Sequence, residues 1–277
     1  MAVGCQQSAD PRFSLVIPAF NEEAYLPRLL DTVDEARHRY RGGANLIEVI
    51  VADNDSTDAT ARVARERGCR VAHVAKRRIA AARNGGAAIA GGEVLCFVDA
   101  DFRIHPQTFN AIDDAMADGR YVGGATGILL ERMSPGIAAT VLAILPLLML
   151  TGVDAGVWFC RRADFEAAGR YDEELLISED VRFLWALKQL GRRRRPRQKF
   201  VRLSSWRGFL RMFFAVSADG RFSGDVAGVR AIASVRKFDK YGDWHFLLDV
   251  PRLCWWMLVR SGRFEERVQA YWYEDRA

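Results

Sequence analysis

Short apolar runs alternate with amphipathic segments over the first hundred residues of the chain. The apolar runs cover residues 13–17, 46–51 and 94–98. Continuous hydrophobicity over so few positions is typical of strands that are buried on both faces of a sheet. The segments between them have helical spacing, and this alternation predicts right-handed βαβ units around a mostly parallel sheet.

Three helices are predicted among these strands. The first has Asn21 as its N-cap and Glu22 and Glu23 in its first turn. A second helix is expected to begin near Ser56 or Thr57, and an alanine-rich segment, 79–90, predicts a third. The apolar face of the first helix consists of Leu26, Leu29, Leu30 and Val33.

Composition limits the class of protein. Half of the 277 residues are hydrophobic and 27% are charged, which excludes an intrinsically disordered chain. The first ten residues have neither a basic region nor an apolar run, so we expect no signal peptide. Five scattered cysteines without a CxxC pair favour a reducing compartment. The longest apolar stretch, 137–150, is shorter than the roughly 20 residues of a membrane-spanning helix, and we expect a buried or interfacial helix there.

Charge is distributed unevenly along the chain. Residues 1–191 carry 21 Lys and Arg against 26 Asp and Glu, a formal charge of −5, whereas residues 192–277 carry 19 against 9, a charge of +10. A basic surface attracts nucleic acid, anionic lipid and phosphorylated substrates through the same long-range field. Charge alone therefore leaves these three kinds of partner open.

Polar clusters follow the predicted strands. They cover residues 18–23 and 53–58 and the pair Asp99 and Asp101, and in an open α/β sheet the ligand crevice lies beyond these strand ends. Extended residues two apart face the same way, so the two carboxylates would repel each other. A divalent cation such as Mg²⁺ or Mn²⁺ relieves this repulsion and also takes diphosphate oxygens. Helix capping and turn chemistry account equally well for the single residues of the other two clusters.

Taken in order, these segments resemble a known family. FSLVIPAFNEE, IEVIVADNDSTDAT and RRIAAARNGGAAIAGGEVLCFVDADF are similar to the nucleotide-sugar-binding half of family 2 glycosyltransferases, which have the GT-A fold. TGVDAGVWFCRRADFEAAGRYDEELLISED resembles the acceptor-side segment of that family, which ends in a Glu-Asp pair. The resemblance covers residues 12–205 and implies a GT-A α/β domain over 1–205. Its nucleotide-sugar half is 12–101 and its acceptor half 102–205, and a basic, aromatic-rich helical extension follows over 206–277.

The resemblance implies roles on the donor side. Pro18, Ala19 and Glu22 would line the uridine pocket, and Asp53 would hold the base or the ribose. Family members usually read DDGS where this chain has Asp-Asn-Asp-Ser at 53–56, so Asn54 and Asp55 are departures. Arg83 and Asn84 would lie beside the donor. Asp101 would be the main metal ligand for Mg²⁺ or Mn²⁺, with Asp99 nearer the ribose.

The resemblance also implies the chemistry. Asp180 would be the general base that takes the proton of an acceptor hydroxyl, with Glu179 as the weaker candidate. Taken without the resemblance, two acids in the first turn of a helix complement its dipole. Direct displacement would invert the anomeric configuration. The QxxRW motif of the processive members is absent, which favours transfer of one sugar per turnover.

These expectations combine into one function with alternatives. We expect a cytoplasmic transferase that moves a sugar from a UDP-sugar to an acceptor glycan or a lipid-linked acceptor. Its Arg- and Trp-rich tail either attaches it to the inner face of an anionic membrane or packs on the domain. The alternatives are a nucleic-acid-binding protein, which would use the basic run 192–195 but lacks an RRM or KH signature, and a non-catalytic membrane-associated scaffold. A scaffold has no need of Asp99, Asp101 and Asp180 together, and we expect no nucleic-acid partner.

Overall fold

The computed structural model describes residues 10–151, 154–176, 178–203 and 228–248. Side chains are described in all of these residues except 147–151. The predicted tail therefore lies largely outside the described residues, as do Trp206, Trp255 and Trp256.

A seven-stranded sheet forms the centre of the fold, with the strand order β3-β2-β1-β4-β7-β5-β8. Its strands pair in parallel except β7, which runs antiparallel to β4 on one side and to β5 on the other. A second, two-stranded parallel sheet joins β6 to β9. The strands are β1 (Phe13–Ala19), β2 (Ile47–Asp53), β3 (Arg70–His73), β4 (Val94–Phe97), β5 (Tyr121–Ala125), β6 (Ile128–Leu130), β7 (Trp158–Arg161), β8 (Lys199–Arg202) and β9 (Ala231–Ala233).

Helices cover both faces of the large sheet. They are α1 (Leu26–His38), α2 (Thr60–Glu66), α3 (Ile79–Ala88), α4 (Thr108–Ala117), α5 (Pro135–Thr151), α6 (Arg162–Ala167), α7 (Glu179–Arg193) and α8 (Arg236–Tyr241). A short 3₁₀ helix, Ala44–Leu46, precedes β2. Among the described residues, none of these helices combines the length and the hydrophobicity needed to cross a membrane.

The central strand β1 shows why its sequence is apolar throughout. Phe13, Leu15 and Ile17 belong to the hydrophobic cluster that contains α1 and α4, whereas Val16 belongs to the cluster on the opposite face. Successive side chains of a strand point to opposite faces, so a strand covered on both sides needs hydrophobic residues at every position. The prediction of buried strands between helices is confirmed.

Helix α3 lies very close to the sheet. A Cβ atom added at Gly86 would come 2.4 Å from Cγ1 of Val16, and the neighbouring helix positions are mostly alanine. The absence of a side chain at Gly86 therefore lets the helix approach β1. This close packing fixes the position of Arg83 and Asn84, which α3 carries toward the strand ends.

The predicted starts of two helices are wrong. Helix α1 begins at Leu26, with Tyr25 at the N-cap position, and α2 begins at Thr60. Asn21 is not a cap, because its side-chain oxygen accepts a hydrogen bond from the backbone N–H of Thr57 in the loop after β2, and its backbone φ is +50°. These contacts hold 21–25 as a loop, while the predicted apolar face of α1 is buried as expected.

Part of the segment assigned to the C-terminal extension pairs with the domain. Strand β9 pairs with β6, and Arg103 forms an isolated bridge to Ile232. Helix α8 follows, and its Phe238 packs on the cluster of Ile137, Val141 and Val235. Residues 228–248 thus bring side chains from the end of the chain to the carboxyl edge of the sheet.

Candidate active site

The carboxyl ends of β1, β2 and β4 meet at one edge of the sheet, as parallel pairing requires. Ala19 pairs with Asp53 in register, and the backbone N–H of Asn54 donates to the carbonyl of Ala19 at 2.8 Å. The loop after β4 carries Asp99 and Asp101 to the same edge. Residues that follow three separate strands are therefore brought together.

Asp53 lies at this edge as the last residue of β2. Its side chain is buried, and its Oδ1 accepts a hydrogen bond from the backbone N–H of Ser56 at 3.2 Å. The imidazole Nδ1 of His73 lies 3.7 Å from its other oxygen. Pro18 is buried beside it in β1. The residues expected around a base or a ribose are thus grouped, and Ser56, a candidate cap, belongs to the Asp53 turn.

The two departures from the DDGS pattern have structural partners. Nδ2 of Asn54 donates to the carbonyls of Val74 and Lys76, at 2.9 and 2.7 Å. A carboxylate at this position could not donate either bond, so the local geometry requires an amide. Asp55 has a φ of +65° and pairs with Arg77 at 3.2 Å.

Arg83 connects the two acidic motifs. Its Nη2 lies 3.1 Å from an oxygen of Asp99, and its Nη1 lies 2.7 Å from an oxygen of Glu179. The guanidinium is almost completely buried and lies over the ring of Tyr171. It therefore holds the loop after β4 against the first turn of α7.

Asn84, the neighbour of Arg83, holds the chain that leads into α7. Its amide accepts from the N–H of Tyr171 at 3.0 Å and donates to the carbonyl of the same residue at 2.9 Å. It also donates to Glu173 at 2.9 Å. The side chain is buried, so in this structure Asn84 positions the loop that carries the candidate base.

The candidate bases Glu179 and Asp180 occupy the first turn of α7. Glu179 is buried, and burial raises the pKa of its carboxyl even though Arg83 attracts the ionised form. Asp180 is more exposed, and one of its oxygens accepts from the N–H of Val181 at 2.7 Å. Ser178 at the N-cap position makes no side-chain cap. Of the two acids, Asp180 is the one that an acceptor could reach.

Glu22 and Asp101 share a second arginine, which comes from α8. Nη1 and Nη2 of Arg236 each donate to one oxygen of Glu22 at 2.8 Å, and its Nε lies 3.1 Å from Asp101. Glu22 is only 1% exposed. The sequence alone does not identify Arg236, because no local pattern distinguishes it from the other arginines of the tail.

Negative charge dominates the site. Five carboxylates lie in reach of two guanidiniums, a formal charge of −3 when all are ionised; they are Glu22, Asp99, Asp101, Glu179 and Asp180, with Arg83 and Arg236. Such a site repels a free diphosphate unless a cation accompanies it. The described residues contain no cluster of three or more metal-ligating side chains. The hard oxygen donors of Asp99 and Asp101 nevertheless suit Mg²⁺ or Mn²⁺ when a ligand supplies further oxygens.

The fold is that of the GT-A enzymes. TarS 1–349 from S. aureus in complex with UDP superposes with a TM-score of 0.54 at 20% identity, over 84% of this chain and 63% of that chain. The mannosyltransferase PcManGT from Pyrobaculum calidifontis, in complex with GDP-Man and Mn²⁺, superposes with a TM-score of 0.55 at 17% identity, over 70% of this chain and 55% of that chain. At these identities the likeness shows the fold.

Sequence comparison finds a family that part of the chain resembles. Residues 14–132 match the model described as glycosyl transferase family 2. Validoxylamine A glucosyltransferase from Streptomyces hygroscopicus subsp. limoneus is 36% identical over 108 residues, which cover 37% of this chain and 23% of that protein. Residues 14–132 are therefore similar to family 2 glycosyltransferases. The chain spans less than a third of the length of the curated relatives that it matches.

Proposed function

We propose that the chain is an inverting glycosyltransferase that moves one sugar from a nucleotide-sugar to a hydroxyl or a lipid-phosphate acceptor. The observation that carries this proposal is the convergence of Asp53, the Asp99-Asp101 pair and Asp180 at one edge of the sheet. The donor that we favour is a UDP-sugar. A nucleotide-sugar donor is supported by two structures of similar fold, TarS with UDP and PcManGT with GDP-Man.

On the donor side, each strand end has its own task. Pro18 and Ala19 line the pocket of the base, and Asp53 holds the base or the ribose. Asp99 and Asp101 are the residues that would hold Mg²⁺ or Mn²⁺, which, when bound, neutralises charge on the diphosphate leaving group. Arg83 adds a fixed positive charge beside Asp99, so the chain itself also stabilises that group.

On the acceptor side, Asp180 accepts the proton of the attacking hydroxyl. Glu179 does not suit this task, because Arg83 occupies its carboxylate at 2.7 Å and the side chain is buried. Asp180 is next to it in sequence and is exposed enough to meet an acceptor. No covalent nucleophile is needed for a single displacement, and one displacement inverts the anomeric centre.

The donor assignment can be tested by thermal unfolding. A ligand at one hundred times its dissociation constant stabilises the fold by about 2.7 kcal/mol. We expect UDP-sugar with Mn²⁺ to raise the Tm more than UDP-sugar with EDTA. Equal shifts under both conditions would contradict the roles of Asp99 and Asp101.

Two variants separate binding from chemistry. Asp101→Ala is expected to weaken metal-dependent donor binding. Asp180→Asn is expected to leave donor binding intact and to abolish transfer, because an amide cannot take the proton. Normal turnover of Asp180→Asn across the pH range would refute the base assignment.

We also propose that the enzyme works at the cytoplasmic face of an anionic membrane. Exposed large hydrophobic side chains on α5 and after α8 support this; they are Leu142, Ile144, Trp244 and Leu248. The free thiols Cys96 and Cys160 suit a reducing compartment. Surface arginines near an anionic membrane contribute about 1 kcal/mol each, so we expect reversible attachment.

Liposome flotation tests the membrane proposal. Arg192, Arg193 and Arg195 are exposed, whereas Arg194 pairs with the buried Asp164. Replacing the three exposed arginines by Gln is expected to reduce flotation on anionic vesicles without loss of folding. Flotation that is absent at low salt for the wild type, or unchanged in the variant, would contradict this proposal.

A further inference from the structure

Arg236 contacts the donor site from outside the segment that matches the family. The match ends at residue 132, and Arg236 begins α8 more than a hundred positions later. Its side chain is only 18% exposed and lies over the ring of Tyr25, 4.8 Å from the ring centroid. The guanidinium is therefore held at the carboxyl edge of the sheet by Glu22, Asp101 and the ring of Tyr25.

The pattern of bonds leaves part of the guanidinium available. A guanidinium has five N–H groups, of which two are on each Nη and one is on Nε. Glu22 accepts one from each Nη, and Nε forms an ion pair with Asp101. One N–H on each Nη remains, so Arg236 can donate two further hydrogen bonds while Glu22 still holds it.

These N–H groups lie where an anion would arrive. If Asp101 helps to hold a cation on the donor, the Asp101 carboxylate and the diphosphate oxygens are ligands of the same ion and therefore lie close together. Nε of Arg236 is 3.1 Å from the same carboxylate. The remaining N–H of Nη2 is parallel to the N–H of Nε, so once Asp101 turns away these two groups form a planar fork that can bind two phosphate oxygens at once. The charge of the guanidinium persists at every physiological pH.

We propose that Arg236 is a diphosphate-binding residue that Glu22 positions. Without donor, Arg236 pairs with Asp101 and competes with a divalent cation for it. With donor and cation present, the Asp101 carboxylate turns to the cation, and Arg236 donates the N–H of Nε and the remaining N–H of Nη2 to the diphosphate. This inference rests on the proposed nucleotide-sugar activity, and it gives the tail segment a part in donor binding.

A purely structural role for Arg236 would consist of docking α8. The structure provides a separate anchor for that purpose, because Arg132 pairs with Asp239 and Asp243 in and after α8. Arg132 makes no contact with Glu22 or Asp101. Arg132→Gln is therefore a matched control that removes an ion pair of α8 and leaves the contacts of Arg236 with Glu22 and Asp101 in place.

The experiment measures two affinities by titration calorimetry. The first is the affinity for Mn²⁺ alone, and the second is the affinity for UDP at saturating Mn²⁺, with uridine as a ligand that lacks phosphate. In Arg236→Gln we expect UDP binding to weaken roughly 10- to 100-fold, the loss of charge-assisted hydrogen bonds. Uridine binding is expected to be unchanged. Mn²⁺ alone is expected to bind roughly 3-fold more tightly or better, because a competing positive charge is gone.

Further variants keep the test decisive if Arg236→Gln is unstable. That substitution leaves Glu22 buried without its ion pair, so Glu22→Gln combined with Arg236→Gln removes both charges. Arg236→Lys retains the charge and loses the planar fork, and we expect an intermediate loss of UDP affinity. Circular dichroism confirms that each variant is folded before its affinities are compared.

Each outcome decides the question. The inference is overturned if UDP binds folded Arg236→Gln as tightly as wild type, or if Arg132→Gln loses as much affinity. It is also overturned if uridine and UDP weaken equally, since that result indicates a general disturbance of the pocket. If wild type binds Mn²⁺ but no nucleotide, the proposed function itself fails; if wild type binds UDP normally and only the Arg236 effect is missing, the proposed function stands without this inference.

Discussion

The buried ion pair between Arg83 and Glu179 makes a prediction about stability that does not depend on the reaction. We consider Arg83→Met, because methionine has a similar length and packs well against the ring of Tyr171, which the guanidinium now covers at 5.2 Å. The substitution removes the partner of Glu179. Asp99 loses a contact as well, but its side chain is 42% exposed and water can replace that contact.

The expected cost follows from the burial of Glu179. Its side chain is 8% exposed, and burial already raises the pKa of its carboxyl in the presence of Arg83. Removing one member of a buried ion pair costs about 3–5 kcal/mol, because an uncompensated charge stays behind. A loss of this size lowers the Tm by roughly 6–20 °C in a chain of this length.

The loss should depend on pH with a defined sign. When a carboxyl has a higher pKa in the folded state than in the unfolded state, the protein loses stability as the pH rises through the folded-state pKa. Without Arg83, the pKa of Glu179 rises further. We therefore expect the difference between wild type and Arg83→Met to be smallest near the unfolded pKa of about 4.3 and to grow toward neutral pH.

Urea unfolding of a double-mutant cycle measures this effect. Arg83→Met, Glu179→Gln and the double variant are compared with wild type at several pH values. The double variant buries no unpaired charge, so we expect it to regain most of the stability lost in Arg83→Met. Equal losses in Arg83→Met and in the double variant, or a loss independent of pH, would show that packing and not the buried charge sets the cost.

Two further predictions concern the scaffold of the site. Asn54→Asp introduces the residue of the DDGS pattern, yet we expect it to lower the free energy of unfolding by about 2–3 kcal/mol, because a buried carboxylate would face the carbonyls of Val74 and Lys76. The loss should shrink at low pH, where a protonated carboxyl can donate a hydrogen bond. A loss of the same size in urea unfolding at two pH values would refute this reasoning. Gly92→Ala is expected to cost about 1–3 kcal/mol, because its Cβ would lie 2.6 Å from the backbone of Phe13. Gly119→Ala is the control, since a Cβ there meets nothing within 4 Å, and similar losses for both glycines would contradict the steric argument.

Hydrophobic periodicity predicted part of the fold. It located β1, β2 and β4 and the buried face of α1, because burial on a sheet or a helix repeats at a fixed spacing along the chain. It failed for the starts of α1 and α2. The partner of Asn21 is Thr57, and that of Glu22 is Arg236, so residues far away in sequence decide whether these side chains cap a helix.

The same distinction applies to the site. Acidic residues at strand ends were found in advance, because topology alone brings Asp53, Asp99 and Asp101 to one edge. The partners of these acids were found only in part. Arg83 belongs to a local motif in α3, whereas Arg236 reaches Asp101 only after the chain has formed β9 and α8. Sequence patterns identify the residues that follow a strand, whereas the tertiary fold determines which distant residues contact them.

The topology also bears on how much of the chain is needed for this site. The family match ends at residue 132, but β7 lies between β4 and β5 in the sheet. A fragment that ends at 132 has no strand to pair with the exposed edges of β4 and β5, and it lacks the partners of Arg83 and Glu22 on α7 and α8. The fragment also lacks β8, the other partner of β5, so three strand edges of the large sheet are left unpaired. Unpaired edges and buried single charges are each destabilising. We therefore expect the fragment 10–132 to show no cooperative unfolding by circular dichroism, and a cooperative transition in that fragment would show that the matched segment folds without the strand that joins its two parts.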